Sequence, residues 1–147
     1  GEIEDIFVST KTYIDNFKMR VGNTLSQSDY ENELFNNANF MMLDKENVTR
    51  LYIDDYLKNN NIEIKHILEV NNMDLLIELS KIGMGVGCLI KEFVQSELSD
   101  GTLTQIPIKK ALKKRTVGFA YANNTPPSNA LSNFIDFINI HQNPLLI

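Results

Sequence analysis

Between Ile64 and Ile90 the spacing of apolar residues changes period, and each change predicts an element. Ile64–Val70 is dense in Ile, Leu and Val, as a strand covered on both faces should be. Leu75, Leu76, Leu79 and Ile82 then recur at helical spacing, with Asp74, Glu78 and Lys81 on the other side. Asn71 and Asn72 are candidate N-caps, Asp74 suits the positive end of the helix dipole, and Gly83 supplies a stop. Val86–Ile90 is short, apolar and strand-like. Strand, helix, strand in that order predicts a right-handed βαβ unit in a parallel sheet.

The rest of the chain extends this pattern. A Gly-Glu turn and a short strand open it, and Asp15–Asn23 reads as a strand. Ser26–Phe35 is polar and turn-like, ending in about one helical turn. Asn39–Leu43 is a short strand. Val48–Asn60 is a helix with Val48, Leu51, Tyr52 and Tyr56 near one stripe, and Asn59, Asn60 and Asn61 end it. Lys91–Leu98 is a short helix stopped by Ser99, Asp100 and Gly101. Strands are predicted at Leu103–Ile108 and Thr116–Ala122. Pro126 and Pro127 break the chain, Ser128 caps, and Leu131, Phe134, Ile135 and Ile138 mark a final amphipathic helix. Alternating strands and helices predict an α/β fold with a mostly parallel sheet flanked by helices.

Composition narrows the function classes. The chain has 147 residues, 43% hydrophobic and 22% charged, enough for one globular domain or part of one. No apolar run approaches the roughly 20 residues that span a bilayer. There is no signal-peptide start, although the chain does not begin with Met. A single cysteine, Cys88, sits in an apolar strand, which predicts a reducing, cytoplasmic setting. The formal charge of −5 argues against this segment gripping DNA by itself. The abundant asparagines suit loops and caps.

Candidate chemistry is sparse. Gly83, Gly85 and Gly87 follow a helix and precede a strand, the reverse of a dinucleotide fingerprint, so they predict a tight turn with close packing. The loop Asp44–Arg50 leaves the carboxyl end of a strand and opens a helix. Open α/β sheets bind ligands at that end, and free N–H groups there suit an anion. Thr49 could donate its hydroxyl and Arg50 could clamp a carboxylate; the competing assignment has Asn47 merely capping and Arg50 pairing with Asp54. The basic run Lys109–Arg115 is short and lacks interleaved aromatics, which favours a solvated connector. His66 and His141 lack partners at zinc-site spacing, and no metal is expected. Cys88 reads as a small core residue. Asp54, Asp55, Asp74 and Glu78 read as helical surface acids. No catalytic residue, enzyme activity or cofactor is predicted.

One family resemblance gathers these pieces. The run NNMDLLIELSKIGMGVGCLIKEFVQSELSDGTLTQIPI resembles the second subdomain of the effector-binding domain of LysR-type transcriptional regulators. The matching features are a polar helix start, an apolar helix, a G-x-G-[IV] turn, a strand, a short helix and a G-x-L turn before a strand. Upstream, ENVTRLYIDDYLKNNNIEI resembles the family's preceding helix; downstream, KRTVGFAYANNTPPSNALSNFIDFI resembles its closing strand and final helix. GEIEDIF resembles the turn into the last strand of the first subdomain.

The resemblance implies a periplasmic-binding-protein-like (type 2) fold, with a second subdomain over about 35–112 and remnants of the first subdomain and crossing strands at 1–23 and 114–142. It implies part of a longer regulator that senses a small anionic effector in an interdomain cleft, forms homodimers or tetramers, and meets DNA only through a separate N-terminal domain, with no role at a membrane. A stand-alone solute-binding protein of related fold is the alternative. Implied effector contacts are Asn47, Val48, Thr49 and Arg50 with Gly83, Met84, Gly85 and Val86, converging as one wall. Exposed apolar surface is expected on Ile6–Val8 and the final helix.

Overall fold

The computed structural model describes residues 1–122 and 126–141. The chain divides into two compact units, one of Ile3–Arg115 and one of Gly1–Glu2 with the chain from Thr116 onward.

The larger unit is built on a five-stranded sheet of β2 (Asp5–Ser9), β3 (Phe40–Leu43), β4 (Ile67–Val70), β5 (Val86–Ile90) and β6 (Thr104–Gln105), in the order β4-β3-β5-β2-β6. The β4, β3 and β5 strands run parallel, and β2 lies antiparallel to both β5 and β6. The sheet is therefore mixed, flanked by helices. Alternating side chains feed two cores. Phe7, Phe40, Met42, Val86 and Cys88 face one side, where Ile53 and Leu57 of α3 (Val48–Asn59) meet them. Ile6, Val8, Met41, Leu43 and Leu89 face the other, where Leu76 of α4 (Met73–Lys81) packs. Phe7, Phe35 and Phe40 form a ring cluster with centroids 5.7–6.0 Å apart, favourable beyond area burial alone.

Several expected elements are corrected. Residues 15–23 are not a strand: 15–21 lie in α1 (Lys11–Val21), which ends at the C-cap Gly22, because Ile14, Phe17 and Val21 share one helical face and Thr10 caps the Tyr13 N–H. Ser26 caps a full helix, α2 (Gln27–Asn37), in place of a single turn. The Lys91–Leu98 helix is instead a 3₁₀ turn at Lys91–Phe93 followed by α5 (Gln95–Asp100). Of Leu103–Ile108 only Thr104–Gln105 is strand, and of Thr116–Ala122 only Thr116, in β7 (Arg115–Thr116).

Two burial expectations also change. β4 is an edge strand with Ile67 and Leu68 exposed, so its apolar run is not covered on both faces. Ile6–Val8 are buried, not exposed, because β2 lies inside the sheet between β5 and β6. On α3 the inward stripe is Arg50, Ile53 and Leu57, flanked by Tyr52 and Tyr56, while Val48 and Leu51 face out.

In the smaller unit Val117 N–H donates to the Gly1 carbonyl at 2.8 Å. Ser128 Oγ accepts from the Leu131 N–H ahead of α6 (Asn129–His141), and Phe119 meets Phe134 edge to face. Phe134, Phe137 and Ile140 are exposed along α6. The short strand β1 (Glu2–Ile3) pairs with β7, and the chain passes from one unit to the other within each of them.

Candidate functional site

Register decides which predicted site residues meet. Leu43 pairs with Val70 and Asp5 with Ile90, so the carboxyl ends of β3, β4 and β5 and the start of β2 share one end of the sheet. Both α3 and α4 begin there. Phe40 pairs with Val86, which puts the turn Gly83–Gly85 at the opposite end. The eight residues expected to form one wall are thus split between the two ends. The cause is elementary: one segment follows a strand, the other precedes its parallel neighbour.

The Gly83–Val86 turn is a packing device. Gly83 adopts φ +77°, a conformation that suits glycine, and its Cα faces the Thr10 side chain. A Cβ on Gly85 would overlap the Asn39 carbonyl oxygen. That carbonyl accepts from Val86 N–H at 2.7 Å, and Ser9 Oγ donates to the Gly85 carbonyl at 2.7 Å. A Cβ on Gly87 would meet the buried Ser80 Oγ. Positive φ at Gly83, close backbone approach at Gly85 and the Ser80 side chain at Gly87 account for these glycines. A valine at Gly85 has no room.

The other end is polar. The Asp44 Oδ1 accepts from Glu46 N–H and the Asp44 carbonyl from Asn47 N–H, closing a turn that delivers Asn47 as the N-cap of α3. Asn47 Oδ1 accepts from Thr49 N–H at 2.9 Å. Across the same end, Asn72 caps α4 by accepting from Leu75 N–H at 2.8 Å. Two capped helix starts therefore bring their positive dipole ends to this end of the sheet.

Arg50 does not reach out from it. Its side chain is 4% exposed and donates Nε to Asp54 Oδ1 at 2.9 Å and Nη1 to the Leu43 carbonyl at 2.9 Å and Glu69 Oε2 at 3.3 Å. It ties α3 to the ends of β3 and β4, as the pairing with Asp54 anticipated. The guanidinium at the site comes from Arg115, in the run expected to be a solvated connector. Lys109, Lys110, Lys113 and Lys114 are exposed as expected, but Leu112 is buried, and Arg115 folds onto Asp5. Its Nε and Nη2 donate to Asp5 Oδ2 and Oδ1 at 2.5 and 2.9 Å, Nη2 also donates to Thr49 Oγ1 at 2.9 Å, and the group lies 5.0 Å from the Tyr52 ring centroid. Asp5 is fully buried, so this bidentate pair is its compensation. Tyr52 and Tyr56 hold the connector by donating to the carbonyls of Lys113 and Lys110. Nearby, Lys91 Nζ pairs with Glu4 at 3.0 Å.

Two cavities among the described residues of the larger unit are lined by none of the predicted contacts. One of about 300 Å³ lies among Ile14, Lys18, Tyr30 and Gln105; another of about 320 Å³ lies among Glu31, Asn36, Asn61 and Lys110. Cys88 is buried, and burial pushes its thiol well above the ordinary range, with Arg50 pulling weakly the other way. Among the described residues no group of three or more His, Cys, Asp or Glu could hold a metal ion, and no helix is long and apolar enough to cross a membrane.

Comparison with known proteins adds family and fold. A family model described as the LysR substrate binding domain matches residues 27–142. The HTH-type transcriptional regulator YeiE of Escherichia coli K12 is 23% identical over 100 residues, 68% of this chain and 34% of that protein. Among solved structures, the regulatory domain of CcmR from Synechocystis PCC6803 in complex with 2-PG matches with 16% identity and a TM-score of 0.65, covering 93% of this chain and 62% of that one. The effector binding domain of QuiR in complex with shikimate matches with 18% identity and a TM-score of 0.64, covering 92% and 59%. At these identities the structural likeness establishes the fold, a LysR effector-binding domain of the periplasmic-binding-protein type. The chain spans about a third of the length of its curated relative.

Proposed function

This chain belongs to the LysR substrate-binding domain family, and from that premise we propose that it senses a small anionic effector for a DNA-binding transcription regulator. The observation that carries the reading is the polar end of the sheet, where Thr49 in the first turn of α3 bonds the Arg115 that pairs with Asp5, and where α4 also begins. Ligands of open α/β sheets bind at that end, and helix starts favour negative charge. Relatives solved with 2-PG and with shikimate support a small oxyanion as the ligand class.

Asn47, Val48 and Thr49 offer the contacts, Asn72 presents the second helix start, and Arg50 acts by holding α3 in place. The glycine turn at Gly83–Val86 supports the sheet from the far end. Ligand binding would regulate by population shift, limited by the ligand's differential affinity for the arrangements it selects. DNA contact belongs to another part of the whole regulator, as the acidic balance of this chain suits. Homo-oligomerisation and a cytoplasmic setting complete the reading. The reading assigns the domain no catalytic step, and its one thiol, Cys88, is buried.

A melting-temperature screen against small carboxylates and phosphate esters, including 2-PG and shikimate, tests this. A ligand at 100 times its Kd stabilises by about 2.7 kcal/mol. The expected outcome is a concentration-dependent rise for at least one compound class. A flat response to every compound at millimolar concentration would overturn the reading.

A further inference from the structure

We propose that Arg115, through Nη1, and the Thr49 hydroxyl together receive a carboxylate of the effector, an assignment that rests on the sensing role above. A guanidinium has five N–H donors. In Arg115 the Nε donor and one Nη2 donor serve Asp5, and Nη2 also serves Thr49. Both Nη1 donors are left without an acceptor among the described residues. Arg50 differs in exposure: its Nε and Nη1 serve Asp54, Leu43 and Glu69, and its side chain keeps only 4% of its surface.

Thr49 is prepared by the same contact. Its Oγ1 accepts from Nη2, so its single proton is free to turn toward a further acceptor. Tyr52 under the guanidinium and the bidentate grip of Asp5 hold the plane of Arg115, which fixes the direction of the unused Nη1 edge. The Arg115 side chain keeps 16% of its surface, so that edge is reachable.

Charge selects the ligand group. Asp5 already neutralises Arg115, and Glu4 neutralises Lys91 close by. A monoanionic carboxylate gains two donors and the α3 dipole without crowding the Asp5 charge, whereas a phosphate dianion would bring a second negative charge against it.

The test is residue-resolved NMR of the 147-residue chain, titrated with sodium acetate and, separately, with inorganic phosphate. Acetate is expected to shift the Arg115 Nε–H and Thr49 amide signals saturably, and phosphate to do so more weakly. Thr49→Val keeps the Asp5–Arg115 pair and removes the hydroxyl; its acetate affinity should fall about tenfold, the loss of one charge-assisted hydrogen bond. Arg115→Ala should abolish the shifts, and Thr49→Val guards against its misfolding. Saturable shifts at Arg50 instead, unchanged affinity in Thr49→Val, or tighter phosphate binding at the same residues would each overturn the assignment and leave the sensing role standing. Silence to both probes overturns it too, and silence in the melting screen as well removes the sensing role.

Discussion

At the carboxyl end of β3 the chain turns through Asp44 and Asn47 into α3, and side-chain oxygens occupy the backbone donors of that turn. At the amino end Asn39 bonds Val86 and presses against Gly85, leaving no room for a side chain. Both places combine small or polar residues with a helix end, and in sequence they look alike. The difference lies in what the glycines and asparagines face. At one end they face backbone a van der Waals contact away; at the other they cap helix starts whose dipoles open outward. Open α/β sheets bind ligands at the carboxyl ends of their strands, and of the two places only the start of α3 stands there.

Gly85→Val breaks the comparison most severely. The added side chain would collide with the Asn39 backbone, and overpacking against backbone should cost about 3 kcal/mol or more. Urea titration should show that loss of stability, and any loss of ligand binding should vanish under conditions that restore folding. A fully stable Gly85→Val that fails to bind would return the glycine turn to the site.

Arg50→Ala ranks second. It strips the Leu43 carbonyl of a buried partner and unpairs two carboxylates that keep much of their solvent contact. A destabilisation of about 1–3 kcal/mol follows from the buried carbonyl, with little from the exposed charges. Ligand affinity of the folded variant should stay within about twofold, since the side chain is 4% exposed and holds α3 to the strand ends. Calorimetric titration at saturating folded fraction separates the two effects.

The smallest effect lies away from both ends, where Tyr56 donates to the Lys110 carbonyl. Burial, with help from Glu31, pushes its phenol up from 10.0 to about 12. A raised pKa favours the protonated form in the fold, so this contribution is whole below pH 10 and disappears as pH rises through about 12. Tyr56→Phe should flatten the fall of stability across that interval and remove one late step from the tyrosinate absorbance titration. An unchanged titration would place the late phenol elsewhere.

Much of this architecture was legible beforehand because periodicity reports burial. The unit from Asn72 to Ile90 reads correctly, as do the caps Asn47 and Asn72 and the strand at Phe40–Leu43. The α1 segment misled because FKMRV looks strand-like until Ile14 is counted with Phe17 and Val21. The site failed in a more instructive way. Arg115 is the last of several basic residues, and composition describes the run as solvated, which holds for its lysines. Only tertiary contact singles out Arg115, through an aspartate more than a hundred residues earlier. The usable signal was Asp5, an acid that stands between Glu4 and Ile6 at the start of a buried strand and so needs a partner.

The most direct test of the account is where an anion settles. Crystals soaked in bromide and measured at its absorption edge would show the sites by anomalous scattering. The account predicts a peak at the carboxyl end of the sheet, beside Thr49 and Arg115 Nη1, and none at Gly83–Gly85. A peak seated on the glycine turn, with the α3 start vacant, would contradict it.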